Sequence, residues 1–250
     1  MSYFNYQGQQ IYYQEVGAGE PCVFLHGNTA SSKMFEYLLP LYTDKFKVIL
    51  LDFSGNGRSQ RVGAFPNDLW QDQGRQIVEL CRTLNYGRVN LLGTSGGAYA
   101  AINAALAAPE LFAKVVADSF DGEFLAEGFA AAILQERRQA KQDLAARQFY
   151  EWCQGEDWET VVDQDTAVLV QYEQNHTPLF SRPIKTIEVP LLITVSLEDE
   201  MLQNDVAADC ALWQASNPLI NYQVFAHGAH PLINFRAEEI ASLVKKFLLD

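Results

Sequence analysis

With 250 residues the chain can bury roughly 70–75% of its unfolded surface, so a core can form without disulfides or metal ions. Hydrophobic residues make up 48% and charged residues 20%, a globular composition that excludes disorder. The 18 Lys and Arg against 31 Asp and Glu leave a formal charge of −13, which argues against nucleic acid, because phosphate binding needs a concentrated positive surface.

The N-terminal stretch MSYFNYQGQQIYYQEVG has neither a basic nor an apolar leader region, and no apolar run reaches the 18 residues of a membrane helix. Cys22, Cys81, Cys153 and Cys210 lie tens of residues apart, without CxxC or Cys/His spacing. They read as free buried thiols of a cytoplasmic protein, with no metal and no cofactor expected.

In chain order, aromatic-rich Tyr3–Val16 around Gln7-Gly8 reads as a hairpin. Short apolar runs at Cys22–Leu25, Lys47–Leu51, Val89–Leu92, Lys114–Ala117, Leu191–Val195 and Tyr222–Phe225 read as buried strands. Between them, Ser31–Tyr42, Pro66–Leu84 and Ala98–Ala107 have helical character, and Ala237–Leu249 carries an apolar stripe at helical spacing. Strands alternating with helices predict an α/β fold whose parallel sheet has helices on both faces. Residues 120–182 break the rhythm with about four helical segments in succession. They are expected to form a helical insertion over the strand C-termini, where α/β proteins place their sites. The core domain is then 1–119 with 183–250, and the cap 120–182.

Val89-Asn-Leu-Leu-Gly93-Thr94-Ser95-Gly96-Gly97-Ala98 matches G-x-S-x-G between a predicted strand and a predicted helix. Flanking glycines allow the tight turn that lifts a serine hydroxyl above the sheet, and the following N–H, of Gly96, points toward developing negative charge. His26-Gly27-Asn28 ends an earlier strand, where the Asn28 N–H can be a second oxyanion donor. His26 itself suits a structural hydrogen bond. A serine nucleophile needs a base, and the base needs an orienting carboxylate. His230 in the compact loop His227-Gly228-Ala229-His230-Pro231 is the candidate base, with His227 behind it; His176 falls in the helical insertion. Asp199 in Glu198-Asp199-Glu200 is the candidate acid, followed by Glu198, with Asp118 or Asp121 as the alternative after the preceding strand. Phe120, Phe124 and Trp152 are candidate substrate-binding aromatics, together with Phe53, Phe129 and Trp158, although aromatics at helical spacing also fill cores.

Over nearly its whole length the chain resembles the α/β-hydrolase family, which uses the order Ser…Asp…His seen in Ser95, Asp199 and His230. Asp52-Phe-Ser-Gly55-Asn-Gly57-Arg58-Ser59 is similar to that family's D-x-x-G-x-G-x-S loop. The resemblance implies an eight-stranded, mostly parallel sheet with the insertion as a cap. His26-Gly27-Asn28-Thr29-Ala30-Ser31-Ser32 resembles the oxyanion loop of haloalkane dehalogenases, whose nucleophile is aspartate. Serine at that position would form an ether that water cannot release, so the elbow points to acyl chemistry. A serine hydrolase cleaving a carboxylic ester of small or medium size is expected, working on a small-molecule substrate as a monomer or homodimer without stable membrane association. A prolyl-type peptidase, a thioesterase and a carbon–carbon bond hydrolase would use the same three residues. A ligand-binding protein on a hydrolase scaffold is the reading from another class.

Overall fold

The computed structural model describes residues 2–202 and 205–250; Met1 and residues 203–204, which fall inside the expected core boundaries, lie outside them. The apolar runs become the strands β3 (Glu20–Leu25), β4 (Phe46–Leu51), β5 (Val89–Thr94), β6 (Phe112–Asp118), β7 (Leu191–Ser196) and β8 (Ile220–Phe225), preceded by β1 (Ser2–Tyr6) and β2 (Gln9–Val16). Every residue of β5 and β7 is buried, as parallel strands covered on both faces require. Successive residues feed opposite cores. Val23, Leu25, Ile49, Leu51, Leu91 and Val115 pack on one side of the sheet, while Cys22, Phe24, Val48, Leu50, Leu92 and Val116 pack on the other.

These strands form one mixed eight-stranded sheet in the order β1-β2-β4-β3-β5-β6-β7-β8. β1 runs antiparallel to β2 and β2 antiparallel to β4, and the remaining pairs are parallel. β4 lies on one side of β3 and β5 on the other, so chain order reverses there and opens a crevice beyond the carboxyl ends of these strands. Register aligns those ends: Leu25 pairs Gly93, Thr94 pairs Asp118, and Asp118 pairs Thr194.

Helices α1 (Leu69–Leu84) and α2 (Gly96–Ala107) cover one face; their buried Ile77, Leu80, Ala101 and Ala105 belong to the first core. Between β6 and β7 stand three α-helices, not about four: α3 (Phe129–Ala140), α4 (Leu144–Gln154) and α5 (Trp158–Gln174). Asp143 caps α4 by accepting from the Ala146 N–H at 2.8 Å, and Gly155 at φ 91° separates α4 from α5. This group has a small core of its own, Ala140, Tyr150, Trp158 and Val162, while Leu169 and Tyr172 of α5 join the core below. Polar contacts also tie it down, among them an Arg61–Asp157 pair at 2.7 Å and Gln154 Nε2 donating to the Ala30 carbonyl at 2.7 Å.

After β7 come α6 (Val206–Ser216), α7 (Leu232–Phe235) and α8 (Ala237–Leu249). α8 presents Ile240, Val244 and Leu248 to the second core as its stripe predicts. Two local expectations need correction. Residues 31–42 form two short 3-10 turns, Ser32–Phe35 and Leu39–Leu41, because Pro40 has no N–H to continue a helix and its ring crowds the preceding turn; Asp52 accepts the Ser32 N–H at 2.7 Å and anchors the first turn. α6 was not anticipated: only Val206, Cys210 and Trp213 of its alanine-rich sequence are buried, too sparse a stripe to stand out.

Candidate active site

Ser95 follows β5 with φ 54° and ψ −126°, a conformation costly for a residue with a side chain and held here from several directions. Its N–H donates to the Asp118 carbonyl at 2.8 Å and its own carbonyl accepts from the Ala98 N–H at 2.9 Å. Gly93 and Gly97 face each other across the turn: a Cβ on Gly93 would strike the Gly97 carbonyl, and one on Gly97 would strike that of Leu25. The two glycines that flank Ser95 in the motif are therefore a packing requirement of the turn.

Beyond the elbow, Ser95 Oγ lies 3.0 Å from His230 Nε2, and His230 Nδ1 lies 3.0 Å from both carboxylate oxygens of Asp199. A carboxylate only accepts, so Nδ1 carries the proton and Nε2 is left to accept from the serine hydroxyl. The Asp199 side chain is fully buried and that of His230 is 16% exposed. Asp199 also accepts the Met201 N–H at 3.0 Å, and the His230 N–H donates to Glu200 Oε2 at 3.2 Å, which fixes both loops.

The alternatives weighed for these roles stand elsewhere. Glu198 pairs with exposed His227 at 2.7 Å. Asp118 accepts from the Thr94 and Thr194 hydroxyls at 2.7 Å each and from the Ile233 N–H at 3.1 Å, and burial raises its carboxyl above the ordinary range. Asp121 lines the crevice, its carbonyl accepting from the Tyr99 hydroxyl at 2.8 Å, and His176 is exposed at the end of α5. His26 donates from Nδ1 to the Gly27 carbonyl at 2.8 Å and accepts the Phe53 N–H on Nε2 at 3.1 Å; burial holds it neutral. It is a structural bridge between two loops.

Asn28 and Gly96 meet beside Ser95. A Cβ on Gly96 would collide with Asn28 Oδ1, and one on Gly27 would come within 3.0 Å of Ser95 Cβ. Among the described residues neither the Asn28 nor the Gly96 N–H has an acceptor. The Asn28 amide is gripped at both ends: Oδ1 accepts from Trp70 Nε1 at 3.1 Å, and Nδ2 donates to Asp165 Oδ2 of α5 at 2.5 Å. The involvement of α5 carries no motif, because it joins positions 137 residues apart.

A cavity of about 60 Å³ opens at Ser95 and His230, walled by Trp70, Tyr99, Leu169 and Arg137 among others. The aromatic expectation is corrected here. Phe120 is buried against Tyr99, Phe180 and Trp213, while Phe124 and Trp152 are 47% and 41% exposed on the outer surface. None of the three lines the cavity; of the aromatics named from the sequence, Phe129 does. Helix periodicity marks a buried stripe but does not tell which buried stripe faces a ligand. Arg137, unremarked in the sequence, is the lone Lys or Arg among the lining residues; its side chain is 12% exposed and Nη1 donates to the Tyr150 hydroxyl at 2.7 Å. All four cysteines are buried and unpaired, and burial pushes the Cys81 and Cys210 thiols up to about 12.

Residues 22–243 match the model of the alpha/beta hydrolase family, and the chain belongs to that family. A 2-(acetamidomethylene)succinate hydrolase of Mesorhizobium japonicum is 38% identical over 109 residues, which is 43% of this chain and 38% of that protein. A pimeloyl-[acyl-carrier protein] methyl ester esterase of Photobacterium profundum is 30% identical over 116 residues, 46% of this chain and 43% of the other. The chain thus spans less than half the length of these curated relatives. In fold, it superimposes on a crystal structure of E-2-(acetamidomethylene)succinate hydrolase with a TM-score of 0.74 at 22% identity, covering 98% of this chain and 97% of that one. No helix among the described residues is long and apolar enough to cross a membrane.

Proposed function

We propose that this hydrolase cleaves an acyl bond, foremost a carboxylic ester of small or medium size, through a covalent intermediate on Ser95. The observation that carries the reading is the unbroken row Ser95 Oγ, His230, Asp199 at 3.0 Å spacing. His230 Nε2 takes the hydroxyl proton as Oγ bonds to the carbonyl carbon. The carbonyl oxygen, now negative, is held by the N–H groups of Asn28 and Gly96. His230 then gives its proton to the departing alkoxide as the C–O bond breaks, leaving an ester on Ser95. Water, deprotonated by the same imidazole, repeats the cycle and frees the acid. Asp199 holds the tautomer and offsets the imidazolium charge. Residues 120–182 serve as the cap, and 1–119 with 183–250 as the core. The four unpaired thiols support a reducing compartment, the cytoplasm.

Arg137 favours a second, narrower reading, in which the acyl group carries a carboxylate. Its Nε is buried without an acceptor, and a relative is named for a succinate derivative. The test is hydrolysis of p-nitrophenyl acetate through decanoate, with mono-p-nitrophenyl succinate alongside, by the wild type and Ser95→Ala. Sustained turnover that falls at least roughly 10³-fold in Ser95→Ala supports the nucleophile. A succinate ester turned over no better than the butyrate removes the narrower reading, and equal rates for both proteins remove the broader one.

A further inference from the structure

Asp165 sits in the middle of α5 with no motif around it, yet its carboxylate ends on the loop beside the nucleophile. Its Oδ2 accepts from Asn28 Nδ2 at 2.5 Å, while Trp70 of α1 holds the other end of the same amide at 3.1 Å. Asn28 is the residue whose N–H stands free beside Gly96, and its Oδ1 fills the space left by the missing Gly96 side chain. Fixing both ends of the Asn28 amide restricts its χ angles and, through them, the peptide plane that carries the N–H. Behind Asp165, Arg137 Nη2 lies 3.7 Å from Oδ1, so the carboxylate is countered from the far side and keeps Oδ2 toward Asn28.

We infer that Asp165 is a positioning residue by which the cap completes the oxyanion hole: its hydrogen bond sets the Asn28 N–H toward the Ser95 reaction centre. The inference rests on the acyl-hydrolase reading of Ser95. On this account the Asn28 N–H is well placed only while α5 is docked, so that catalytic competence and closure over the substrate arrive together. The contribution lies in the transition state, where negative charge develops, and not in the ground-state fit of the substrate.

The test uses a fluorophosphonate, which needs the oxyanion hole but no knowledge of the natural substrate. Ser95 Oγ bonds to phosphorus, the P–F bond breaks, fluoride leaves, and the serine proton passes to His230. Rates of labelling and of p-nitrophenyl ester turnover are compared for wild type, Asp165→Ala, Asp165→Asn and Asn28→Ala, with thermal unfolding as a check of folding. Asp165→Ala is expected to slow labelling and kcat at least tenfold with KM within about threefold, part of the 10²–10³ that loss of one donor costs. Asp165→Asn keeps an acceptor for Asn28 and is expected to recover to within about threefold of wild type. In an Asn28→Ala background the second change, Asp165→Ala, is expected to add less than about twofold, since the two act through one bond. Should Asp165→Ala not fold, Asn28→Ala probes the bond from its other end and is itself expected to slow labelling tenfold.

Labelling of Asp165→Ala or Asn28→Ala at the wild-type rate overturns the inference and leaves the acyl-hydrolase reading intact. So does a loss confined to KM, or an Asp165→Asn as slow as Asp165→Ala, which would tie the effect to Arg137. A wild type that neither labels nor turns over any ester overturns both.

Discussion

Two buried aspartates stand near the ends of neighbouring strands, and their surroundings give them different work. Asp118 at the end of β6 is enclosed by Thr94, Thr194 and the Ile233 N–H, so it ties β5, β7 and the segment after His230 together. Asp199, just past β7, keeps both oxygens on the imidazole. Asp118→Asn replaces an acceptor by a donor facing a donor, and is expected to lower stability by about 1–3 kcal/mol. Its fluorophosphonate labelling should stay within a few fold of wild type. Asp199→Asn is expected to do the opposite: unfolding near the wild type, with kcat reduced roughly 10³–10⁴-fold by the wrong imidazole tautomer. Urea unfolding and ester turnover on both variants separate the two cases, and a large rate loss in Asp118→Asn would reverse the assignment.

At the scale of elements, the elbow shows why some of the fold was legible in the chain and some was not. The β5–α2 turn is a local device. Gly93 and Gly97 must be small because strand and helix touch within five residues, and so their spacing around Ser95 can be read directly. Residues 31–42 have equally helical spacing, but Pro40 lacks the N–H that would continue the ladder, and the segment closes as two short turns. The part played by α5 is not local at all: its Asp165 reads as one more polar residue on a helix until the fold brings Asn28 to it. A substitution exposes the tightness of the elbow. Gly→Ala inside a helix ordinarily stabilises by about 0.5–1 kcal/mol. At Gly97 the added Cβ meets the Leu25 and His26 carbonyls, backbone atoms that cannot swing aside. Gly97→Ala is therefore expected to destabilise by about 2–4 kcal/mol. Gly63→Ala, with nothing within 4 Å of the new methyl, is expected to fall within about 0.5 kcal/mol of wild type. Denaturant midpoints measure both, and a neutral Gly97→Ala would contradict the close approach of α2 to β3.

For the molecule as a whole, the alternation of apolar runs and helices was enough to foresee the sheet, because each parallel strand needs a crossover helix and each buried run has few other places to go. The cavity wall was not foreseeable, since it is assembled from α1, α2, α3 and α5, elements far apart in the chain. The same assembly buries charge, and this has a consequence for pH. Burial pushes the Asp165 carboxyl up to about 6 even though Arg137 and the Asn28 amide favour its ionised form. Its folded value lies above the unfolded one of about 3.9, so the folded state holds the proton more tightly. The stabilisation is complete below about pH 4 and is lost as pH rises through 6. Other groups bend the profile too: His26, lowered by burial, costs stability as pH falls below its unfolded value, and Asp157, lowered by Arg61, does so at more acidic pH. Subtracting the profile of Asp165→Asn, which cannot ionise, removes these shared contributions. The stability of Asp165→Asn relative to wild type is expected to increase by on the order of 2 kcal/mol between pH 4 and pH 8, most of it between pH 4 and pH 6. Chemical unfolding of both proteins across that range measures the difference directly. A difference that does not change with pH would mean that Asp165 ionises as readily in the folded protein as in the unfolded chain, and one that changes in the opposite sense would mean that Arg137 outweighs burial.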